Sequence, residues 1–140
     1  MKKSFLNSVL VVAAHPDDEI LGCGGTLAKH VFNGDKVNIL IVAEGSTSRS
    51  PERDLKLHRN NLDNLYSEAI KASQILGVTD LKILDFPDNR LDSIDLIEIT
   101  KKIEEAIKIF KPNIIYTSSC ADLNVDHRVV ANAVLTAFRP

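Results

Sequence analysis

Cysteine is scarce in this chain. Two in 140 residues, Cys23 and Cys120, are too few for a disulfide framework and read as reduced thiols of a cytoplasmic protein. Long apolar runs are missing too: none approaches the ~20 residues a membrane-spanning helix needs. The opening MKKSFLNSVLVVAAH has two lysines ahead of an apolar run, as a signal peptide does, but the run is short and leads straight into charge. Charge of one sign is nowhere concentrated. Seventeen basic and 19 acidic residues are spread along the chain, for a net charge of −2. No basic block suits a nucleic acid and no acidic tail solvates an arm. Internal repeats, low-complexity segments and domain boundaries are absent. The length suggests one domain, residues 1–140, and 44 % apolar residues suffice for a core. Homo-oligomerisation is left open.

Apolar runs and helix-period segments alternate. Ser8–Ala14 is a continuous apolar run, as expected of a strand covered on both faces. Glu19–Phe32 places Ile20, Leu21, Leu27, Ala28 and Val31 at helical spacing and ends at Asn33-Gly34. Lys36–Ala43 reads as a second strand, residues 44–54 as a polar loop of functional length, and Leu55–Leu76 as a long helix closed by Gly77. LKILDF, residues 81–86, is a short third strand. A turn follows, and Asp92 or Ser93 is placed to cap a helix running to Phe110. NIIYTSS is the fourth strand, residues 122–126 a loop, and His127–Phe138 the last helix. The expected fold is therefore α/β: a Rossmann-like three-layer sandwich whose mainly parallel sheet has strand order 3-2-1-4. In that order strands 1 and 4 are neighbours whose connections leave in opposite directions. The crevice at their carboxyl ends is where such folds bind ligands.

Two loops should meet in that crevice. HPDDE, His15 to Glu19, follows strand 1, and CADLNVDHR, with Asp122, Asp126 and His127, follows strand 4. Packed carboxylates repel one another, and a dication turns that repulsion into attraction. His15 and Asp18, three apart around a proline turn, can point at one centre, and His127 supplies a third ligand from the facing loop. Two imidazoles and one carboxylate with open positions match a catalytic zinc site, although iron(II) or another divalent ion suits the same donors. Asp17, between the two ligands, is placed to act as general base toward a water acidified by the metal, in attack on an amide or ester carbonyl. The plainer reading of Asp17, Asp18 and Glu19 is a helix first turn whose acids complement the dipole. A rival function is nucleotide binding. Glu44 ends strand 2 about where a dinucleotide fold puts its ribose-binding acid. However, Gly22, Gly24 and Gly25 do not form the phosphate fingerprint and are expected to let the first helix pack close to the sheet. His30 and His58 sit among polar neighbours and are expected at the surface.

AHPDDE followed by GCGGTLA, with the late DLNVDHR, resembles the PIG-L/LmbE-like family of zinc-dependent deacetylases, which remove acetyl groups from N-acetylglucosamine-type sugars. The resemblance extends to EAIKASQILGV, residues 68 to 78, and FPDNRLD, residues 86 to 92. It implies that His15, Asp18 and His127 are zinc ligands and Asp17 the base, that Asp126 orients its neighbours, and that Asp88 lies near the substrate. Arg49, with Ser46 to Ser48, is a candidate sugar contact in the polar loop. Two features depart from the family. Many members have a histidine where this chain has Asn124. An amide can donate to an oxyanion but not protonate an amine, so Asp17 would carry the proton to the leaving group. Members also commonly continue past the last helix, which here reaches Arg139-Pro140, so the chain is expected to be truncated. The implied substrate is an N-acetylated amino sugar of a glycoconjugate or surface polysaccharide. The alternative is a non-catalytic metal- or nucleotide-binding module.

Overall fold

A computed structural model of the protein describes residues 6–139. The two lysines of the signal-like opening and the final proline lie outside the described residues. The elements are β1 (Ser8–Ala13), α1 (Asp18–Phe32), β2 (Lys36–Ala43), α2 (Arg59–Leu76), β3 (Asp80–Phe86), α3 (Leu96–Phe110), β4 (Ile114–Thr117) and α4 (Val125–Ala137). A 3-10 turn, Leu91–Ser93, precedes α3. The four strands form one parallel sheet in the order β3-β2-β1-β4, as the alternation and right-handed crossovers require.

The unbroken apolar runs follow from two cores. Successive strand side chains point to opposite faces. Leu10, Val12, Leu40 and Val42 pack under α3 and α4 with Ile99, Ile103 and Val130. Val9, Val11, Ile39 and Ile41 pack under α1 with Leu27. A strand covered on both faces is apolar on both, with buried Asn38 of β2, whose Nδ2 donates to the Val9 carbonyl at 3.3 Å, as the exception. Among the described residues no helix is long and apolar enough to cross a membrane.

Four local expectations are corrected. α2 starts at Arg59, not Leu55, because the Asp54 carboxylate accepts the Lys56 and Leu57 N–H groups at 2.9 and 3.1 Å and holds a turn there. α3 starts after Asp95, because Asp92 and Ser93 are used in the 3-10 turn. Asp126 stands in the first turn of α4 beside His127, not in a loop before it: Asn124 caps this helix, its Oδ1 accepting the Asp126 N–H at 2.8 Å. The glycines of α1 are not required for close packing. A Cβ at Gly22 or Gly25 meets nothing within 4 Å, and at Gly24 only Ile20 of the same helix. They flank a break at Cys23, whose φ of −146° is not helical, and glycines ease such kinks.

Candidate active site

The β1 and β4 ends bring HPDDE and the start of α4 together. One ligand atom each from His15, Asp18 and His127 lies within 4.8 Å of the others. Asp18 Oδ2 is 3.3 Å from His15 Nδ1 and 3.0 Å from His127 Nε2. A tetrahedral ion with bonds of ~2.0–2.1 Å holds its donors roughly 3.4 Å apart, so the three need only small shifts to share one. The rear of each ring is already held. His15 Nε2 lies 2.9 Å from Asp126 Oδ2 and 3.2 Å from Asp88 Oδ1, and His127 Nδ1 lies 3.1 Å from Asp122 Oδ2. With those nitrogens donating to carboxylates, His15 Nδ1 and His127 Nε2 keep their lone pairs for a cation, the arrangement usual behind metal-binding imidazoles. The donor set fits a divalent metal.

The electrostatics agree. Burial pulls the His15 pKa down, but hydrogen bonds to Asp126, Asp18 and Asp88 outweigh it and push the value up to about 11. The carboxylates favour positive charge at this spot, whether carried by a second proton on His15 or by a cation that replaces it. Burial raises the Asp18 carboxyl, but its bonds to His15 prevail and keep it below the ordinary range. A second group, His15 with Asp88 and Asp126, also clusters tightly enough for a metal. Its acids are committed elsewhere. Asp126, 0 % exposed, accepts the Asn89 N–H at 2.7 Å and the Leu91 N–H at 3.0 Å. Asp88 accepts the Ser48 N–H at 3.1 Å and Asn89 Nδ2 at 3.0 Å. Both acids thereby tie the β3–α3 segment and the β2–α2 loop to His15.

Asp17 has a conformation of its own. Its φ is 138° with ψ −31°, a region that costs a non-glycine residue about 1–3 kcal/mol and clusters at functional sites. Its side chain makes no capping bond to α1 and lines the crevice. Burial, then the neighbouring Asp18, hold its carboxyl above the ordinary value.

The crevice encloses about 620 Å³. Around it stand His15, Asp17, Asp18, Asp88, Asn124 and His127, and Arg49 reaches it from the β2–α2 loop. Four lining residues, Gly45, His58, Asn61 and Asn89, were not among the sequence candidates. His58, expected at the surface, is half-buried, its Nε2 2.7 Å from Ser50 Oγ. The sequence placed it inside a helix starting at Leu55; only the later start of α2 at Arg59 puts it at the end of the loop that lines the crevice. His30 is corrected as well: its ring lies 2.7 Å from Asp35 Oδ2 and 3.0 Å from the Tyr116 hydroxyl, far down α1. Glu44, the acid behind the nucleotide reading, is 0 % exposed. Its carboxylate accepts Thr47 Oγ1 at 2.5 Å and the Ser46 N–H at 2.8 Å and pairs with Arg53 at 3.4 Å. It braces a loop and is closed to a ribose.

Comparisons with known proteins identify the chain's relatives. Residues 10–138 match the family described as PIG-L, GlcNAc-PI de-N-acetylase. The chain is 30 % identical over 131 residues to a probable N-acetyl-alpha-D-glucosaminyl L-malate deacetylase 2 of Bacillus cereus, covering 92 % of this chain and 60 % of that protein. It is 32 % identical over 110 residues to the diacetylchitobiose deacetylase of Thermococcus kodakarensis, covering 79 % of this chain and 40 % of the relative. The crystal structure of a conserved protein from Thermus thermophilus superposes with a TM-score of 0.76 at 31 % identity, over 94 % of this chain and 55 % of that one. The chain thus spans 40 to 60 % of the length of these relatives.

Proposed function

The chain belongs to the PIG-L family of de-N-acetylases, and from that premise we propose that it hydrolyses the acetamide of an N-acetylated amino sugar, with a divalent metal, zinc by donor type, held by His15, Asp18 and His127. One observation carries this reading: the three ligand atoms converge within 4.8 Å beside a carboxylate, Asp17, that neither the helix nor the ligand set uses. When bound there, a divalent cation supplies a Lewis acid that polarises a carbonyl and lowers the pKa of water. The remaining chemistry belongs to the chain. Asp17 accepts the proton of the attacking water, its raised pKa suiting a base, and returns it to the departing nitrogen. Asn124 spends its Oδ1 on the Asp126 N–H, and among the described residues no hydrogen bond uses its Nδ2, so the amide can donate to the developing oxyanion. Asp126 and Asp122 hold the two imidazoles in orientation. Arg49, Ser48 and the newly placed His58 and Asn61 form the wall toward which the sugar would lie.

The test is acetate release from methyl glycosides of N-acetylglucosamine, with zinc supplied. Turnover by the wild type and its fall by about 10²- to 10⁴-fold in Asp17→Asn, with metal content unchanged, are expected. Wild-type turnover in that variant would remove the base assignment.

A further inference from the structure

Asp17 occupies the position before the first residue of α1, where an aspartate ordinarily turns its carboxylate back onto the helix N–H groups. Here it makes no such bond. The carboxylate that folds back is that of Glu19, whose Oε2 accepts the Asp17 N–H at 3.0 Å. This is half of a capping box, moved one residue early and with the reciprocal half absent. Glu19 is 2 % exposed, an expensive place for an acid that serves only to cap a helix. On its other side the turn is wedged. Gly45, at φ +78°, comes so close to Pro16 that a Cβ on it would lie 2.7 Å from the proline Cδ. The Asp17 peptide, at positive φ, is therefore flanked by a buried acceptor and a buried ring.

We infer that Glu19 is a positioning residue for the deacetylation reaction: it takes over the capping of the α1 start and holds the Asp17 peptide so that the Asp17 carboxylate stays free and aimed into the crevice. The inference rests on the reading of Asp17 as the base. Glu19 binds no metal and touches no reacting atom. Its contribution lies in the placement of Asp17, and displacing a reacting group by about 1 Å costs on the order of 10²-fold in rate.

Three variants isolate that role: Glu19→Gln, which keeps an acceptor of the same reach; Glu19→Asp, which keeps the charge and withdraws the acceptor by one methylene; and Glu19→Ala. The readouts are kcat and KM for acetate release, metal content, and the NMR shift of the Asp17 amide proton. Glu19→Gln is expected within about threefold of wild-type kcat with the amide proton still in its hydrogen-bonded position. Glu19→Asp and Glu19→Ala should lose about 10- to 100-fold in kcat with KM and metal retained and the amide shifted. Folded Glu19→Ala at wild-type kcat would overturn the inference, as would loss of metal in step with kcat, which would place Glu19 in the ligand set. If Glu19→Ala does not fold, Glu19→Asp decides by the same criteria. If the wild type releases no acetate, the deacetylase reading fails by itself, and the amide shift still reports whether Glu19 holds Asp17.

Discussion

The first helix has a histidine–aspartate system at each end, and the two are built differently. At its carboxyl end Asp35 Oδ2 lies 2.7 Å from His30 Nδ1, Asp35 Oδ1 accepts the Asn7 N–H and Nδ2 at 3.0 and 3.1 Å, and the Tyr116 hydroxyl lies 3.0 Å from His30 Nε2. Every polar atom in that chain of bonds has a partner of its own. At the other end, four carboxylates contact two imidazoles, and three of the donor groups face one another across a shared centre. The closed system ties β4 to α1 and to the start of β1. In the convergent one the donor atoms lie close enough together to share a cation. Residue type alone does not separate a fastening histidine from a ligand histidine; what differs is that each His30 nitrogen has a partner of its own, whereas one Asp18 oxygen is shared by the His15 and His127 rings.

The largest break in this comparison is removal of the convergent rings. His15→Ala combined with His127→Ala is expected to reduce about one metal per chain to none, by mass spectrometry of the purified protein, and acetate release to background. Chelation of the wild type should reach the same end point. A smaller effect is expected at Asn124. Asn124→Asp keeps an oxygen to cap α4 but has no N–H for an oxyanion, so kcat should fall about 10²-fold with thermal stability retained. Asn124→Ala should lose both that rate and about 0.5–2 kcal/mol of helix capping. If the two variants matched the wild type in kcat, the oxyanion role would go.

Smaller again is Asp126→Asn. It leaves the ligands in place but weakens the hold on His15 Nε2, and metal affinity measured by competition with a chelator should drop about 10- to 100-fold. The smallest effects belong to the closed end. Tyr116→Phe should cost about 0.5–1.5 kcal/mol in a urea titration and leave metal content and kcat unchanged. There the hydrogen bond from His30 holds the Asp35 carboxyl below its ordinary 3.8. The stabilisation is present above that value and is lost as pH falls through the lower value of the folded protein. Below about pH 4, the urea midpoint of the wild type should therefore fall more steeply with acidification than that of Asp35→Asn. Equal slopes would mean the pair contributes nothing to acid stability.

The strand order was legible because continuous apolar runs and glycine-closed helices leave few parallel arrangements, and right-handed crossovers select among them. The convergence of His15, Asp18 and His127 was legible for the same reason: once strands 1 and 4 are neighbours, their following loops share a crevice. Less was legible at His58 and His30, whose polar sequence neighbours suggested solvent. His58 is brought to the crevice by a loop stapled through Glu44 and Asp88, and His30 to Tyr116 by a strand 86 residues away. Contacts of that separation have no local signature.

Periodicity and the spacing of charged residues, by themselves, determined the α/β class, the sheet order and the two segments that meet at the crevice, because each is a consequence of local pattern and chain topology. Only the tertiary structure decided which nitrogen of each ring faces Asp18 and which faces a carboxylate behind it, that the Glu44 carboxylate is closed off inside a loop, and that Asp17 sits at positive φ with its carboxylate unspent. Those depend on side chains from separate elements competing for the same few hydrogen bonds, and that competition is resolved only when the elements have packed.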